Sequence, residues 1–230
     1  AAPAPLEALW TRPDLGAAFM CGFPFALAAP QPVALVAPIP SSPRYGGRPQ
    51  YCTDFIVRAD RSFTRLSDTY GGRIGWTVRH SQSGYNAVWH HLLGKQAAHY
   101  SEWVGPLVTP RRIIDAVLDG GIDVGPLDSY VHDLLKRHEP ETAAKLCVVD
   151  STVMTPIPLL VASPATDKDV VARLRCALLS FHSEFSTAAT LDTLLLSRFA
   201  TINPSGYQEL LPQANDAKST GMPGPGVRKD

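Results

Sequence analysis

Residues 71–93 read GGRIGWTVRHSQSGYNAVWHHLL, and this stretch decides the fold. Its first half is a short apolar strand that begins at a glycine pair, and its second half is an apolar run at helical spacing. Between them, residues 81–86 (Ser-Gln-Ser-Gly-Tyr-Asn) contain the residue types that cap a helix N-terminus. A strand that enters a helix through such a turn predicts an α/β fold.

The turn at 81–86 also predicts an anion site. Backbone N–H groups and the hydroxyls of Ser81 and Ser83 face one point there, and the helix dipole favours negative charge. A tetrahedral oxyanion suits this set of donors. An ordinary N-cap, in which Ser83 satisfies the first helical turn, is the competing interpretation, and spacing alone does not separate the two.

The rest of the chain alternates strands with helices. We expect strands at 16–27, 33–40, 51–59, 122–129, 146–152 and 158–163, and helices at 109–118, 130–137, 167–184, 186–196 and 204–211. This alternation predicts mixed, mostly parallel sheets flanked by helices. The prolines within 154–158 mark a crossing between two lobes, and residues 218–230 have the Gly/Pro-rich composition of a disordered tail.

Composition excludes several classes of protein. The 230 residues suffice for two lobes, and 45% apolar residues can form a core in each. Lys+Arg and Asp+Glu both number 21, and without a basic stripe we exclude nucleic acid as a partner. The longest apolar stretch, 33–39, is too short to span a bilayer, and no secretory signal is recognisable in these residues.

A few further side chains are candidates for ligand contact. Tyr51 and Thr53 lie two apart on a strand and therefore share a face, where core packing is the competing role. Asp128 follows a strand, and ligands of α/β folds bind at the carboxyl ends of strands. Asp123 is expected to brace the turn after Gly121.

Nothing in the sequence points to catalysis, to a cofactor or to a metal. The motifs GxSxG, GxxxxGK[ST], GxGxxG and CxxC are absent, and the adjacent His90 and His91 diverge on a helix. An enzyme would need Asp128 with a histidine as its acid/base pair. Cys147 and Cys176 lie in apolar runs and are predicted to be buried thiols, whereas Cys21 and Cys52 are left open as a possible disulfide.

Five segments in order resemble the PhnD-like phosphate, phosphite and phosphonate solute-binding proteins of ABC importers. They are CGFP at 21–24, YCTDFIVR at 51–58, GGRIGWTVRHSQSGYNAV at 71–88, VLDGGIDVGPLDS at 117–129 and TPIPLLVAS at 155–163. The resemblance implies a type 2 periplasmic-binding-protein fold, with two α/β lobes and a hinged cleft between them. Lobe 1 would comprise 1–72 and 156–217, and lobe 2 would comprise 73–155.

The resemblance also implies the ligand contacts. The second lobe would hold the anion with Ser81, Gln82, Ser83, Gly84 and Tyr85, and Asp128 would face the first lobe, whose wall would be Cys21, Gly22, Phe23, Tyr51 and Thr53. Family members begin with a strand and helix upstream of CGFP, where this sequence has AAPAPLEALWTRPDL. We therefore expect a first lobe without that strand, which leaves three alternatives open: a fragment or truncated variant, a strand supplied by a neighbouring chain, or a rebuilt lobe.

The function implied is that of an extracytoplasmic solute-binding component, periplasmic or facing the outside, which delivers a small oxyanion to a membrane ABC permease without turnover. We expect a monomer, or a dimer if the strand is supplied in trans. A sensor or interaction module with the same clamp fold that has lost transport is the alternative. An enzyme of pyrimidine or thiamine-precursor type is a third, weaker hypothesis.

Overall fold

The computed structural model describes residues 6–93 and 100–212. The helices are α1 (Leu6–Trp10), α2 (Gly22–Leu27), α3 (Ala87–Leu93), α4 (Pro110–Leu118), α5 (Ser129–His138), α6 (Pro140–Ala143), α7 (Lys168–Ser180) and α8 (Ala188–Thr193). The strands are β1 (Ala18–Met20), β2 (Val33–Pro40), β3 (Gln50–Tyr51), β4 (Thr53–Arg58), β5 (Arg73–Gly75), β6 (Glu102–Val104), β7 (Gly125–Asp128), β8 (Leu146–Ser151), β9 (Thr155–Pro156), β10 (Leu159–Ala162) and β11 (Leu196–Ala200).

The chain divides into two compact α/β units. Unit 1 contains the residues up to Gln50 and those from Pro156 to Leu210, and unit 2 contains 51–155 together with the described residues after Leu210. The chain therefore first crosses from unit 1 to unit 2 between Gln50 and Tyr51. Residues 51–72 belong to unit 2, whereas the sequence analysis assigned them to the first lobe. The reason is β4, which is a full member of the sheet of unit 2. Most of the predicted tail, 218–230, lies outside the described residues.

Unit 2 is built on a mixed sheet. Strand β4 lies between β7 and β8 and runs antiparallel to both. Strand β5 runs parallel to β6 and joins β7 through a parallel bridge between Ile74 and Val124. Strands β5 to β8 therefore share one direction and β4 opposes them, which agrees with a mixed, mostly parallel sheet.

The alternation of β4 explains how this sheet is covered on both sides. Phe55 and Val57 join an apolar cluster with Val88 of α3, whereas Ile56 joins a second cluster with Ile113 of α4. All of these side chains are buried, and each contributes about 1.5–3 kcal/mol by leaving water. By the same alternation, Thr53 shares its face with Phe55, and Asp54 lies on the opposite face.

In unit 1 the prediction of mostly parallel sheets is wrong. The strand order is β1-β10-β2-β11, and each neighbouring pair is antiparallel. Strand β10 lies between β1 and β2 and separates two strands that run in the same direction. Within the described residues no strand pairs with the other edge of β1, and the Trp10 indole donates to the Phe19 carbonyl at 2.9 Å.

Two further predictions for unit 1 need correction. The segment 16–27 is a strand only at β1 and then becomes α2, because α2 is buried on nearly all sides and a short apolar run does not distinguish the two structures. The helix expected at 186–196 ends at Thr193. A turn at Leu195, where φ is 51°, then leads into β11, which pairs with β2.

Candidate anion-binding site

The predicted turn is a π-helical turn, Gln82–Asn86, that continues directly into α3. Ser81 is its N-cap, and the Ser81 hydroxyl accepts a hydrogen bond from the Gly84 amide at 3.0 Å. The first backbone bond runs from the Asn86 amide to the Ser81 carbonyl, at 3.1 Å. The cap is therefore Ser81, not Ser83 as the capping interpretation assumed, and the Gly84 amide already has an acceptor.

Three donors of the turn, on two residues, remain available to a ligand. Ser83 and Tyr85 are partly exposed, whereas the Gln82 side chain and Gly84 are buried. In the part of the chain that the structure describes, no acceptor is found for the Ser83 hydroxyl or for the amides of Ser83 and Tyr85. These groups belong to the first turn of a helical segment, where an anion is the natural partner.

Thr53 connects the turn to the sheet. Its hydroxyl donates to the Ser83 carbonyl at 2.9 Å, and its backbone pairs with Asp128 on β7. Strand β7 also packs against the turn. Thr53 is therefore buried and braces the site, and the structure brings Ser83, Thr53 and Asp128 together in unit 2. Tyr51 is also buried in this unit, which corrects the assignment of Tyr51 and Thr53 to the first lobe.

Asp128 has a structural role that the sequence analysis did not assign. Its Oδ1 accepts from the amides of Tyr130 and Val131, at 2.9 and 3.1 Å, and so caps α5. Burial of the carboxyl raises the pKa of Asp128 to about 7, with a smaller contribution from the nearby charge of Asp54, and the two amides act in the opposite sense. Within the described residues Oδ2 has no hydrogen-bond partner.

An aromatic row fixes Tyr85 from both sides. The ring of Tyr85 packs edge-on against Trp76, with centroids 5.5 Å apart, and against Trp89 at 6.2 Å. Trp89 in turn stacks on Trp103, with centroids 4.0 Å apart and planes nearly parallel. Such pairs restrict ring rotation, so the backbone at Tyr85 is held in place by packing rather than by a bond of its own amide.

A buried polar network behind the site escaped the sequence analysis. Asp54 is completely buried, accepts from Ser151 Oγ at 2.7 Å and pairs with His132 Nδ1 at 2.9 Å. The sequence feature that could have predicted this network is the aspartate inside the apolar strand TDFIVR, because a buried charge requires polar partners. The Ser151 hydroxyl and the Cys52 thiol both donate to Asp54 Oδ1, and His132 pairs with Oδ2. The network ties α5 and β8 to β4.

The adjacent histidines His90 and His91 lie near the end of α3. They line a cavity of about 140 Å³ with Ala87, Thr152, Val153 and Thr155. His91 Nε2 is bonded to Asp150 Oδ2 at 2.9 Å. Across residues 6–93 and 100–212, no group of three or more His, Cys, Asp or Glu side chains is arranged to hold a metal.

The candidates Cys21, Gly22 and Phe23 lie in unit 1, at the start of α2. Gly22 is packed beneath the Tyr207 ring, and Phe23 is buried. Their contact with a ligand therefore stays a prediction. All four cysteines are thiols outside any disulfide.

Cys147 and Cys176 are exposed, which contradicts the prediction of buried thiols. Strand β8 is an edge strand of the described sheet in which Cys147 and Val148 are both exposed, and α7 buries only Val171 fully, so an apolar stretch of sequence did not imply burial at either position.

Comparison with known proteins identifies the family. A model of the ABC transporter, phosphonate, periplasmic substrate-binding protein family matches residues 14–207. No functionally curated protein matches the chain. No helix in the described part of the chain is long and apolar enough to cross a membrane.

Solved structures agree in fold. A binding-protein component of an ABC phosphonate transporter from Pseudomonas aeruginosa superposes with a TM-score of 0.75 at 16% identity, over 88% of this chain and 68% of that one. PhnD1 from Prochlorococcus marinus, in complex with methylphosphonate, gives 0.72 at 15% identity, over 88% and 78%. A Xanthomonas citri protein bound to ATP gives 0.65 at 19% identity, over 93% and 81%. The two-lobed α/β periplasmic-binding-protein fold is thereby confirmed, and the chain belongs to the periplasmic substrate-binding proteins of phosphonate ABC transporters.

Proposed function

We propose that this solute-binding protein takes a small oxyanion, namely phosphate, phosphite or a phosphonate, at the turn 81–86 of unit 2. The observation that carries the proposal is that one residue of the turn caps the helical segment while other donors of the turn have no acceptor. Ser81 caps the helical segment, and the Ser83 hydroxyl and the amides of Ser83 and Tyr85 remain without acceptors in the described structure. Neutral donors at a helix start bind anions without a positively charged side chain.

The predicted contacts then fall into two groups. Ser83 and Tyr85 contact the anion, whereas Ser81, Thr53 and the buried Gly84 and Gln82 hold the turn. A carboxyl with a pKa near 7 can stand beside an anion at neutral pH, so Asp128 donates from Oδ2 to an anion oxygen or accepts from a ligand amine. Tyr51, Cys21, Gly22 and Phe23 remain predicted contacts.

The family gives the cellular context. Members bind a small ligand outside the cytoplasm and deliver it to a membrane permease. Methylphosphonate in the relative from Prochlorococcus marinus supports a phosphonate as the ligand here. We propose that this chain acts as a monomer that binds and releases its ligand unchanged.

Thermal unfolding in the presence of phosphate, phosphite, methylphosphonate, aminoethylphosphonate and sulfate tests the ligand class. A ligand at 100 times its Kd adds about 2.7 kcal/mol of stability, which moves the midpoint by several degrees. One of the phosphorus oxyanions should raise the midpoint more than sulfate does. A cooperatively unfolding protein that responds to none of the five would refute the proposal.

Two serine variants separate binding from capping in the same turn. Ser83→Ala should weaken anion binding by about 1–3 kcal/mol, measured by calorimetric titration, and should leave the unfolding midpoint without ligand nearly unchanged. Ser81→Ala is the matched control, and it should lower stability by about 0.5–2 kcal/mol because the Gly84 amide loses its acceptor. If Ser83→Ala destabilises the free protein and binds normally, Ser83 is structural and the proposed site is wrong.

A further inference from the structure

Thr77 lies beneath the anion-binding turn, in the segment between β5 and the turn, and the sequence analysis gave its side chain no role. It follows the carboxyl end of β5 by two residues, and its side chain is buried, with 6% exposed. The backbone fixes it there, because the Thr77 amide donates to the Gly84 carbonyl at 3.1 Å and the Val108 amide donates to the Thr77 carbonyl at 3.3 Å. Thr77 is thus part of the wall of the turn.

The Thr77 hydroxyl has no hydrogen-bond partner in the part of the chain that the structure describes. Buried hydroxyls almost always have a partner, so an exception requires an explanation, and a bound ligand can supply the missing acceptor. Thr69 shows the usual situation in the same unit, because its buried hydroxyl bonds both the Leu66 carbonyl and the Tyr100 hydroxyl, at 2.7 and 2.9 Å. The difference between the two threonines lies in their position and not in their burial.

The Thr77 hydroxyl lies against Gly84, which stands between Ser83 and Tyr85, the two residues whose donors have no acceptor. A Cβ atom added to Gly84 would lie 1.9 Å from Thr77 Oγ1. In a helix the Cα–Cβ bond is tilted toward the N-terminus, so Oγ1 lies on the N-terminal side of Gly84. The amides of the first turn point to that same side. Gly84 is required here because any side chain would occupy the place of the Thr77 hydroxyl.

We infer that Thr77 Oγ1 donates a hydrogen bond to the bound oxyanion and is a further specificity-determining residue of this site. The inference rests on the proposed function and adds a hydroxyl donor beneath the turn to the Ser83 hydroxyl and the amides above it. A hydroxyl in this place needs an acceptor oxygen on the ligand, so it selects for oxyanions and against ligands that present carbon at that point.

The test is calorimetric titration of methylphosphonate and of inorganic phosphate into the full chain and its variants. Thr77→Val keeps the shape and removes the hydroxyl, and it should weaken binding about tenfold without lowering the unfolding midpoint of the free protein. Thr77→Ser should bind within about threefold of the wild type, because its hydroxyl is retained. Thr69→Val is the matched control, and it should lower the midpoint and leave the affinity unchanged.

The possible results are distinct. If Thr77→Val binds like the wild type while Ser83→Ala binds weakly, the inference about Thr77 is wrong and the proposed site stands. If the wild type binds neither anion, nor any other of the screen, the proposed function itself fails. Should Thr77→Val not fold, Thr77→Ala makes the same comparison with less bulk against Gly84, and equal affinity of Thr77→Ala and the wild type overturns the inference.

Discussion

Replacement of Asp128 by Asn tests whether the carboxyl that caps α5 beside the site titrates near neutral pH in the folded protein. Asp128 caps α5 through Oδ1, and burial raises its pKa to about 7. Asn is as good an N-cap as Asp, so Asp128→Asn keeps the bonds to the amides and removes only the titration. The variant therefore isolates the contribution of this one carboxyl to the pH dependence of stability.

The sign and size of the effect follow from the two states of the chain. In the unfolded chain the carboxyl titrates near its ordinary value of 3.8, and in the folded protein near 7. Between these values the folded state holds a proton that the unfolded state has lost, so the free energy of unfolding falls as the pH rises through the window. The difference between the two pKa values corresponds to about 4 kcal/mol of unfolding free energy at most. Because Asp128 is partly exposed, we expect a smaller total, of about 1–4 kcal/mol.

The measurement is urea unfolding of the ligand-free protein at pH 5 and at pH 8. The wild type should lose about 1–2.5 kcal/mol more than Asp128→Asn between the two values, because the part of the full difference that arises below pH 5 is not sampled. Asp167→Asn is the control, because Asp167 caps α7 with the same geometry in an exposed position, and it should follow the wild type. Parallel pH dependences of Asp128→Asn and the wild type would refute the reasoning.

Three further substitutions test the packing of the two units. Gly84→Ala brings a methyl group to 1.9 Å from a threonine hydroxyl, so we expect a loss of at least about 1–3 kcal/mol in urea unfolding and weaker anion binding in calorimetry. Tyr207→Phe removes the bond to the Ile157 carbonyl, 2.8 Å long, and should cost about 1–3 kcal/mol in urea unfolding. His132→Ala leaves Asp54 as a buried carboxylate without its imidazole, and should cost about 3–5 kcal/mol by the same measurement.

Long periodic segments were predictable from the sequence. Helix α4 begins after the Thr109 cap and ends at the glycine pair, as its pattern indicates, because capping and stopping signals act locally. The sequence also predicted strand β4 correctly, but it assigned β4 to the wrong unit. Which sheet a strand joins depends on partners distant in sequence, here β7 and β8, and no local pattern in residues 51–58 specifies them.

Within the site, the position of the turn was predictable and the roles of its residues were not. Ser81 and Ser83 have the same side chain and both precede the apolar run, so residue type does not assign the cap. The choice depends on where the first backbone bond of the helix forms. Likewise, the interaction of Asp54 with His132 joins residues 78 positions apart, which sequence spacing cannot show.

The π register explains how one short turn caps a helix and leaves donors for an anion. In an α-helical register the first backbone bond would close four residues after Ser81, whereas here Asn86, five residues on, makes it. The Asn86 side chain adds a bond to the same carbonyl, at 2.9 Å, which holds the wider turn closed. All amides from Gln82 to Tyr85 thus precede the first backbone bond, and Ser81 takes only that of Gly84. Capping and anion binding are therefore not alternatives in this chain, since different atoms of the same turn perform them.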